Sequence, residues 1–480
     1  MKKLIFKITL VSLFAVGVAP ILTSCVDEEL NVDPKHPSVL PSENLLATGI
    51  YQFSYYTTTP SVNYNNYVFF VQNLSETTYF DESRYNLVTR NQPRNHFDRM
   101  YVYTLGNIRN AKKALPNETE NTPVEAANKL ATLEIFEILT WENIVNTFGN
   151  VPYSEALQGD DVKANYTPKY DDAKTIYVDL IKRLDAVIAS INPAVKGYAS
   201  GDVIYQGDMT KWIKTANAIK LRLGLNLADT DPALAKSTIE SAVNSGVYSD
   251  SSDNFTFKYD SGTFTNPYYD NFVASGRNDY IASNTVIDLM NSETDPRRDV
   301  WFTKVNDAYV GGIFGQKNPF ARYSHLNDKF FLAKNAPSAI ISYTEVAFML
   351  AEAAQRGYNV GGSASDYYNK AITSSFVESG IADKADAYIA THSYDASNWK
   401  KSIGGQAYIA LYTKAYATWN FTRRLDYPIL NNPSNSLTET IPFRMPYSDQ
   451  EYVLNKTNVE AAATAIGGDK VSTKLFWDKF

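Results

Sequence analysis

Asp208-Met209-Thr210-Lys211-Trp212-Ile213-Lys214-Thr215-Ala216-Asn217-Ala218-Ile219-Lys220-Leu221-Arg222-Leu223-Gly224-Leu225-Asn226-Leu227-Ala228 is the stretch on which the fold turns, together with the Asp231-Pro232 pair that follows it. Met209, Trp212, Ala216, Ile219, Leu223 and Leu227 recur every three or four residues, which places them on one face of a helix. Asp231-Pro232 supplies a side-chain cap with proline at the first helical position, opening a second helix that runs to Asn244. Gly246 is its stop, because glycine tolerates the left-handed backbone that ends a helix. The segment is a helical hairpin.

The same unit recurs. In residues 170–192 one face carries Ala173, Tyr177, Leu180, Ile181, Leu184, Val187, Ile188 and Ile191, with Asp171 or Asp172 as the cap and Pro193 just beyond. Tyr343, Val346, Ala347, Leu350 and Ala354 line a later helix, which a break at 357–362 separates from a partner over 364–379. Residues 124–148 are apolar on two sides. Leu130, Leu133, Trp141, Ile144, Val145 and Phe148 share one face, and Ile135, Phe136 and Leu139 the other, so this helix is sandwiched between neighbours. A last helix spans 406–421 with Tyr408, Leu411, Tyr412, Ala415 and Trp419 inward. Small residues at facing positions let paired helices approach, and hairpins of this length resemble tetratricopeptide repeats.

Two segments break the pattern. Residues 247–337 show little periodicity and are rich in Asn, Asp, Gly and aromatics, with short strands expected near 255–259 and 329–332. Residues 51–103 hold fourteen aromatic side chains among many Asn and Thr. Long irregular stretches in a compact chain carry function, so these are the expected recognition surfaces.

The chain has 480 residues, 44% hydrophobic and 20% charged, which makes it globular and large enough for more than one structural region. A net charge of −7 without a basic block argues against nucleic acid, whose phosphates need clustered Lys and Arg. One cysteine excludes an internal disulfide and a Cys-zinc site. His36, His96, His325 and His392 are scattered with no HExxH pair, and there is no phosphate loop, GxSxG elbow or EF-hand. Ser397-Asn398-Trp399-Lys400 matches SxxK, but the companion motifs of that chemistry are missing. No catalytic residue, metal or cofactor is assigned.

The single cysteine sits at the end of a secretory signal. Lys2, Lys3 and Lys7 precede an apolar run over 8–22 that is too short for a stable span, and Leu22-Thr23-Ser24-Cys25 resembles the lipobox of bacterial lipoproteins. That resemblance implies cleavage after residue 24 and lipidation of Cys25. At about 0.8 kcal/mol per buried methylene, several acyl chains make a firm anchor. Asp27, Glu28 and Glu29 follow at once, as in the surface-export signal of Bacteroidetes lipoproteins; a merely solvated acidic tether over 25–42 is the alternative.

Along its mature length the chain resembles the SusD/RagB family of outer-membrane nutrient-binding lipoproteins. The resemblance rests on Phe148-Gly149-Asn150-Val151-Pro152-Tyr153-Ser154-Glu155-Ala156, on Pro168-Lys169-Tyr170-Asp171, and on Gly207-Asp208-Met209-Thr210-Lys211-Trp212 with Lys220-Leu221-Arg222-Leu223. It continues through Tyr408-Ile409-Ala410-Leu411 to Trp419, Arg423, Arg424 and Tyr427-Pro428, then Ile441-Pro442-Phe443-Arg444-Met445-Pro446-Tyr447 and Thr473-Lys474-Leu475-Phe476-Trp477-Asp478. It implies a mainly α fold: a scaffold of four tetratricopeptide-like helix pairs with a large irregular, aromatic-rich ligand region. It also implies a non-enzymatic role, capturing oligosaccharides or in some members peptides, and a SusC-like, TonB-dependent barrel as partner. The expected layout is a signal peptide over 1–24, a lipidated tether over 25–42 and one SusD-like domain over 43–480. Within that domain, helical repeats occupy about 43–246 and 338–421, and the ligand region 247–337 is inserted.

Sugar rings stack their C–H faces on aromatic side chains while their hydroxyls need polar partners. Tyr79, Phe80 and Tyr85 with Arg84 have this mixture in the first irregular segment. Tyr268, Tyr269, Trp301, Tyr309 and Phe314 have it in the second, with Asn266, Asn271 and Arg277 as polar partners. Core burial competes for every one of these aromatics, and the resemblance carries no binding residue onto them. Trp141, Trp212 and Trp419 read as packing, Arg423 and Arg424 as complements to a helix C-terminus, and Val151-Pro152-Tyr153 as a rigid turn. Two other functions stay open: a glycoside hydrolase with two carboxylates about 5 to 10 Å apart, and a helical scaffold that binds only proteins.

Overall fold

Asp208 accepts the Thr210 and Lys211 amides and starts the helix Met209–Leu227; Asp231 accepts the Leu234 amide and starts Pro232–Ser245, which ends at Gly246 with φ 101°. These belong to a computed structural model that describes residues 40–159, 165–260 and 262–480. The signal segment, Cys25 and most of the tether lie outside the described residues. Within the hairpin, a Cβ on Gly224 would stand 2.7 Å from Ile239 Cγ1, so glycine there is what lets the two helices touch.

Three more hairpins repeat this design: Pro123–Phe148 with Ala173–Ser190, Tyr343–Gln355 with Ala364–Glu378, and Trp399–Ala410 with Ala415–Leu425. Each first helix packs on the next, so the four pairs form a stack. A capping box of Thr122 and Glu125 opens Pro123–Phe148, whose second half is buried on all sides, as a helix apolar on two faces requires. Ahead of the stack, Ser42–Thr58 packs against a helix that runs from Gln92 through a π-helical stretch, Arg99–Leu105, to Ala114. Trp141, Trp212 and Trp419 are buried, as expected of packing residues.

Three local readings change, and one alternative is resolved. The expected helix over 406–421 is two helices, broken at 411–414, where Thr413 has φ 71° and the Leu411 carbonyl accepts both the Lys414 amide at 2.8 Å and the Thr418 hydroxyl at 3.1 Å. The apolar spacing runs on across this turn, so periodicity does not mark it. Asp172, not Asp171, caps Ala173–Ser190; Tyr170–Asp171 instead pairs as a short strand with Val151–Pro152, which replaces the expected turn. The strand expected at 329–332 is a turn of helix, Asp328–Phe331, capped by Asn327. The one near 255 is present as Phe255–Phe257 and pairs with Ser338–Ile341. Arg423 and Arg424 stand in the last turn of Ala415–Leu425, as expected of complements to a helix C-terminus, and are also buried cross-links. Arg423 donates to the Asn146 and Phe443 carbonyls, and Arg424 pairs with Glu352 at 2.9 Å. Ser397 and Lys400 lie at an exposed helix start, where Lys400 meets Asp426 at 3.2 Å.

Candidate functional site

The two irregular segments meet in a two-stranded antiparallel sheet, Leu74–Glu76 against Tyr280–Ala282, with Glu76 opposite Tyr280. The pairing continues past the strand end, where the Thr77 amide donates to the Asp279 carbonyl at 2.9 Å. At this end the sheet opens into a cleft of about 250 Å³ lined by Ser61, Asn63, Glu76, Tyr79, Arg90, Asn271, Ser275, Arg277 and Asp279. Tyr79 is 63% exposed, so its ring and hydroxyl are presented to solvent. Arg277 is also exposed and pairs with Asp279, Nε to Oδ2 at 2.7 Å. Asn271 donates to the Pro267 carbonyl at 2.7 Å, which holds its amide at the cleft wall.

Buried charge pins the loop that carries Tyr79. Glu76 Oε2 accepts the Ser83 amide at 2.9 Å and the Ser83 hydroxyl at 2.8 Å. Glu82 Oε1 accepts Gln92 Nε2 at 2.9 Å and pairs with Arg90, while Glu82 Oε2 is buried without a donor among the described residues. The Glu76 and Glu82 carboxyls lie near enough to repel one another. Burial, and next the facing Glu82 carboxylate, push the Glu76 carboxyl well above the usual carboxylate range.

Of the residues singled out in the sequence, Tyr79, Asn271 and Arg277 come together in this cleft. Asn266 and Tyr268 line a separate cavity of about 330 Å³ beside Phe330, Phe331 and Lys414. There Asn266 is occupied by structure, capping the Tyr268 and Tyr269 amides and donating to the Ala336 carbonyl, while Tyr268 is buried and stacks on Phe272. Phe314, almost fully buried, edges a third cavity of about 480 Å³ with Gln72, Thr285 and Asn431. Tyr85 is 2% exposed, its hydroxyl accepting from Gln72 and its ring against Phe314. Trp301 is 4% exposed, stacks on Tyr412 at 5.7 Å and donates to Ser379, which makes it a core residue. Tyr309 bonds Asp299 at 2.6 Å, and Arg84 folds over Phe80 and onto Asp81.

Ser61, Asn63, Glu76, Arg90 and Asp279 were not visible as cleft residues in the sequence, since nothing in their spacing marks them. Among the described residues no group of three His, Cys, Asp or Glu side chains converges as a metal site.

Stacked helical hairpins joined to an aromatic-rich irregular half define the SusD-like fold. The chain belongs to the SusD-like family: the family model described as "Starch-binding associating with outer membrane" matches residues 34–448. A chitin-binding protein of known structure is 25% identical with a TM-score of 0.79, covering 92% of this chain and all of its own. A SusD homologue from Bacteroides uniformis is 27% identical with a TM-score of 0.73, over 90% of this chain and 99% of its own. A chitin-binding SusD homologue from Flavobacterium johnsoniae shares the fold at 21% identity and a TM-score of 0.78, over 91% and 98%. No curated protein matches the chain.

Proposed function

We propose that this chain is a lipid-anchored surface protein that captures carbohydrate oligomers in the Tyr79–Arg277 cleft and hands them to a SusC-like, TonB-dependent transporter. The observation that carries this reading is the cleft itself, where one exposed ring stands beside the amide of Asn271 and the exposed guanidinium of Arg277. That is the mixture a sugar needs, an apolar face for its C–H groups and fixed donors for its hydroxyls. Membership of a family described as starch-binding supports it, and so do similar structures of chitin-binding proteins. No helix among the described residues is long and apolar enough to cross a membrane, so attachment is assigned to lipid on Cys25, with 1–24 removed and 25–42 as the tether.

Binding without turnover is preferred over glycoside hydrolysis because the family and its similar structures are described as binding proteins.

Calorimetric titration with starch-derived and chitin-derived oligosaccharides, and with peptides, tests the reading. Saturable binding with no shortened products is expected, and Tyr79→Ala should weaken it by about 2- to 13-fold, the worth of one stacking contact. Equal affinity in Tyr79→Ala and Arg277→Ala would remove the site; product release would favour an enzyme. Membrane fractionation of Cys25→Ala and co-purification with a barrel check the anchor and the partner.

A further inference from the structure

Arg99 lies in the π-helical stretch beside the cleft, and its guanidinium carbon sits 4.4 Å from the ring centre of Tyr103, 4.5 Å from Tyr56 and 5.4 Å from Tyr64. Among the described residues this guanidinium makes no ion pair and donates no hydrogen bond; the adjacent Asp98 faces Arg94 at 3.7 Å instead. Among the described residues the hydroxyls of Tyr56, Tyr64 and Tyr103 make no hydrogen bond. Tyr103 is 43% exposed, which leaves the cage open on one side. The cage adjoins the cleft: Asn63 of the cleft wall precedes Tyr64, and Asn95, one turn before Arg99, donates to the Asn63 carbonyl at 2.8 Å and to the Arg90 carbonyl at 2.9 Å.

Three ring faces hold the cation in place without neutralising it or using its N–H groups. The five N–H donors of the planar fork are then available to an anion, beside three phenol rings. A guanidinium partly stripped of water binds a planar or tetrahedral oxyanion more strongly than a neutral hydroxyl, because the bonds are charge-assisted and can form in pairs.

We propose that Arg99, Tyr56, Tyr64 and Tyr103 form a subsite for an oxyanion carried on the ligand, so that the cleft takes an acidic glycan whose carboxylate or sulfate docks on Arg99. This rests on the carbohydrate-binding reading above. The ligand's sugar rings lie along Tyr79 while its charged substituent occupies the cage.

Affinity electrophoresis and calorimetry of the folded protein against polygalacturonate, its carboxyl-reduced form and chondroitin sulfate test it, with starch- and chitin-derived oligosaccharides as neutral controls. At least one acidic polymer should bind, and its affinity should fall with added salt. For a carboxylate ligand, reducing the carboxyls should cost tenfold or more; selective binding of chondroitin sulfate would assign a sulfate instead. Arg99→Gln should lose at least tenfold toward the acidic polymer and keep wild-type affinity for any neutral glycan, and Arg99→Lys should restore part of the loss. Should Arg99→Gln misfold, the salt dependence and the carboxyl-reduced polymer decide on the wild-type chain. Wild-type affinity of Arg99→Gln for acidic polymers, or binding of neutral glycans alone, would overturn the subsite and leave carbohydrate capture standing. Failure of every glycan to bind would overturn both.

Discussion

Glu76 and Glu82 lie near each other beneath the cleft, Glu76 accepting from Ser83 and Glu82 from Gln92 and Arg90. A carboxyl raised above its unfolded value favours the folded state fully at pH below the unfolded pKa, and that contribution is lost as pH rises through the folded value. Glu76→Gln keeps a neutral donor in place. Its melting temperature should therefore match wild type near pH 4.5 and exceed it at pH 8 to 9, as read by thermal scans across that range. A variant no more stable than wild type at pH 9 would count against the raised Glu76 carboxyl. Trp301 makes the contrasting case, because its ring is enclosed by Phe302, Phe330, Phe331 and Tyr412. Trp301→Ala should cost about 3 to 5 kcal/mol of stability in denaturant titrations while leaving ligand affinity at the Tyr79 cleft unchanged. Tyr79 and Tyr85 explain why such assignments are hard from sequence. Six residues apart in one aromatic segment, they are 63% and 2% exposed, and no periodicity in an irregular loop separates the two outcomes.

Helices were legible where cap, period and stop coincide. Asp172, Asp208, Asp231 and Gly246 sit at their expected ends or one residue away because capping is local, decided by a side chain and amides two or three residues on. The break at 411–414 was not legible, since Tyr408, Leu411, Tyr412 and Ala415 keep a helical spacing through it and only the fold back onto the preceding helix reveals the turn. Gly224 sets how close one hairpin closes. Gly224→Ala should lower stability by about 1 to 3 kcal/mol in spite of alanine's better helix propensity, because the new methyl meets Ile239 and Thr238. A gain in melting temperature would show that the hairpin relaxes around it.

At the scale of the molecule, buried charge joins neighbouring hairpins. Arg222, 2% exposed, pairs with Glu142 at 3.1 Å and with Glu345 at 2.6 Å, tying three hairpins together, and Arg424 meets Glu352 from the fourth. Arg222→Met would leave two carboxylates buried without a cation, so about 3 to 5 kcal/mol should be lost. The triple change Arg222→Met, Glu142→Gln, Glu345→Gln should recover much of that, measured as a thermodynamic cycle.

The amino-acid sequence by itself determined the helical hairpins and the family pattern, because apolar period, caps and turn residues act over a few positions. Which aromatic became core and which became cleft was decided only in three dimensions. Glu76 meets Tyr280 across more than two hundred residues, and exposure is a property of what the rest of the chain covers, not of the residue or its near neighbours.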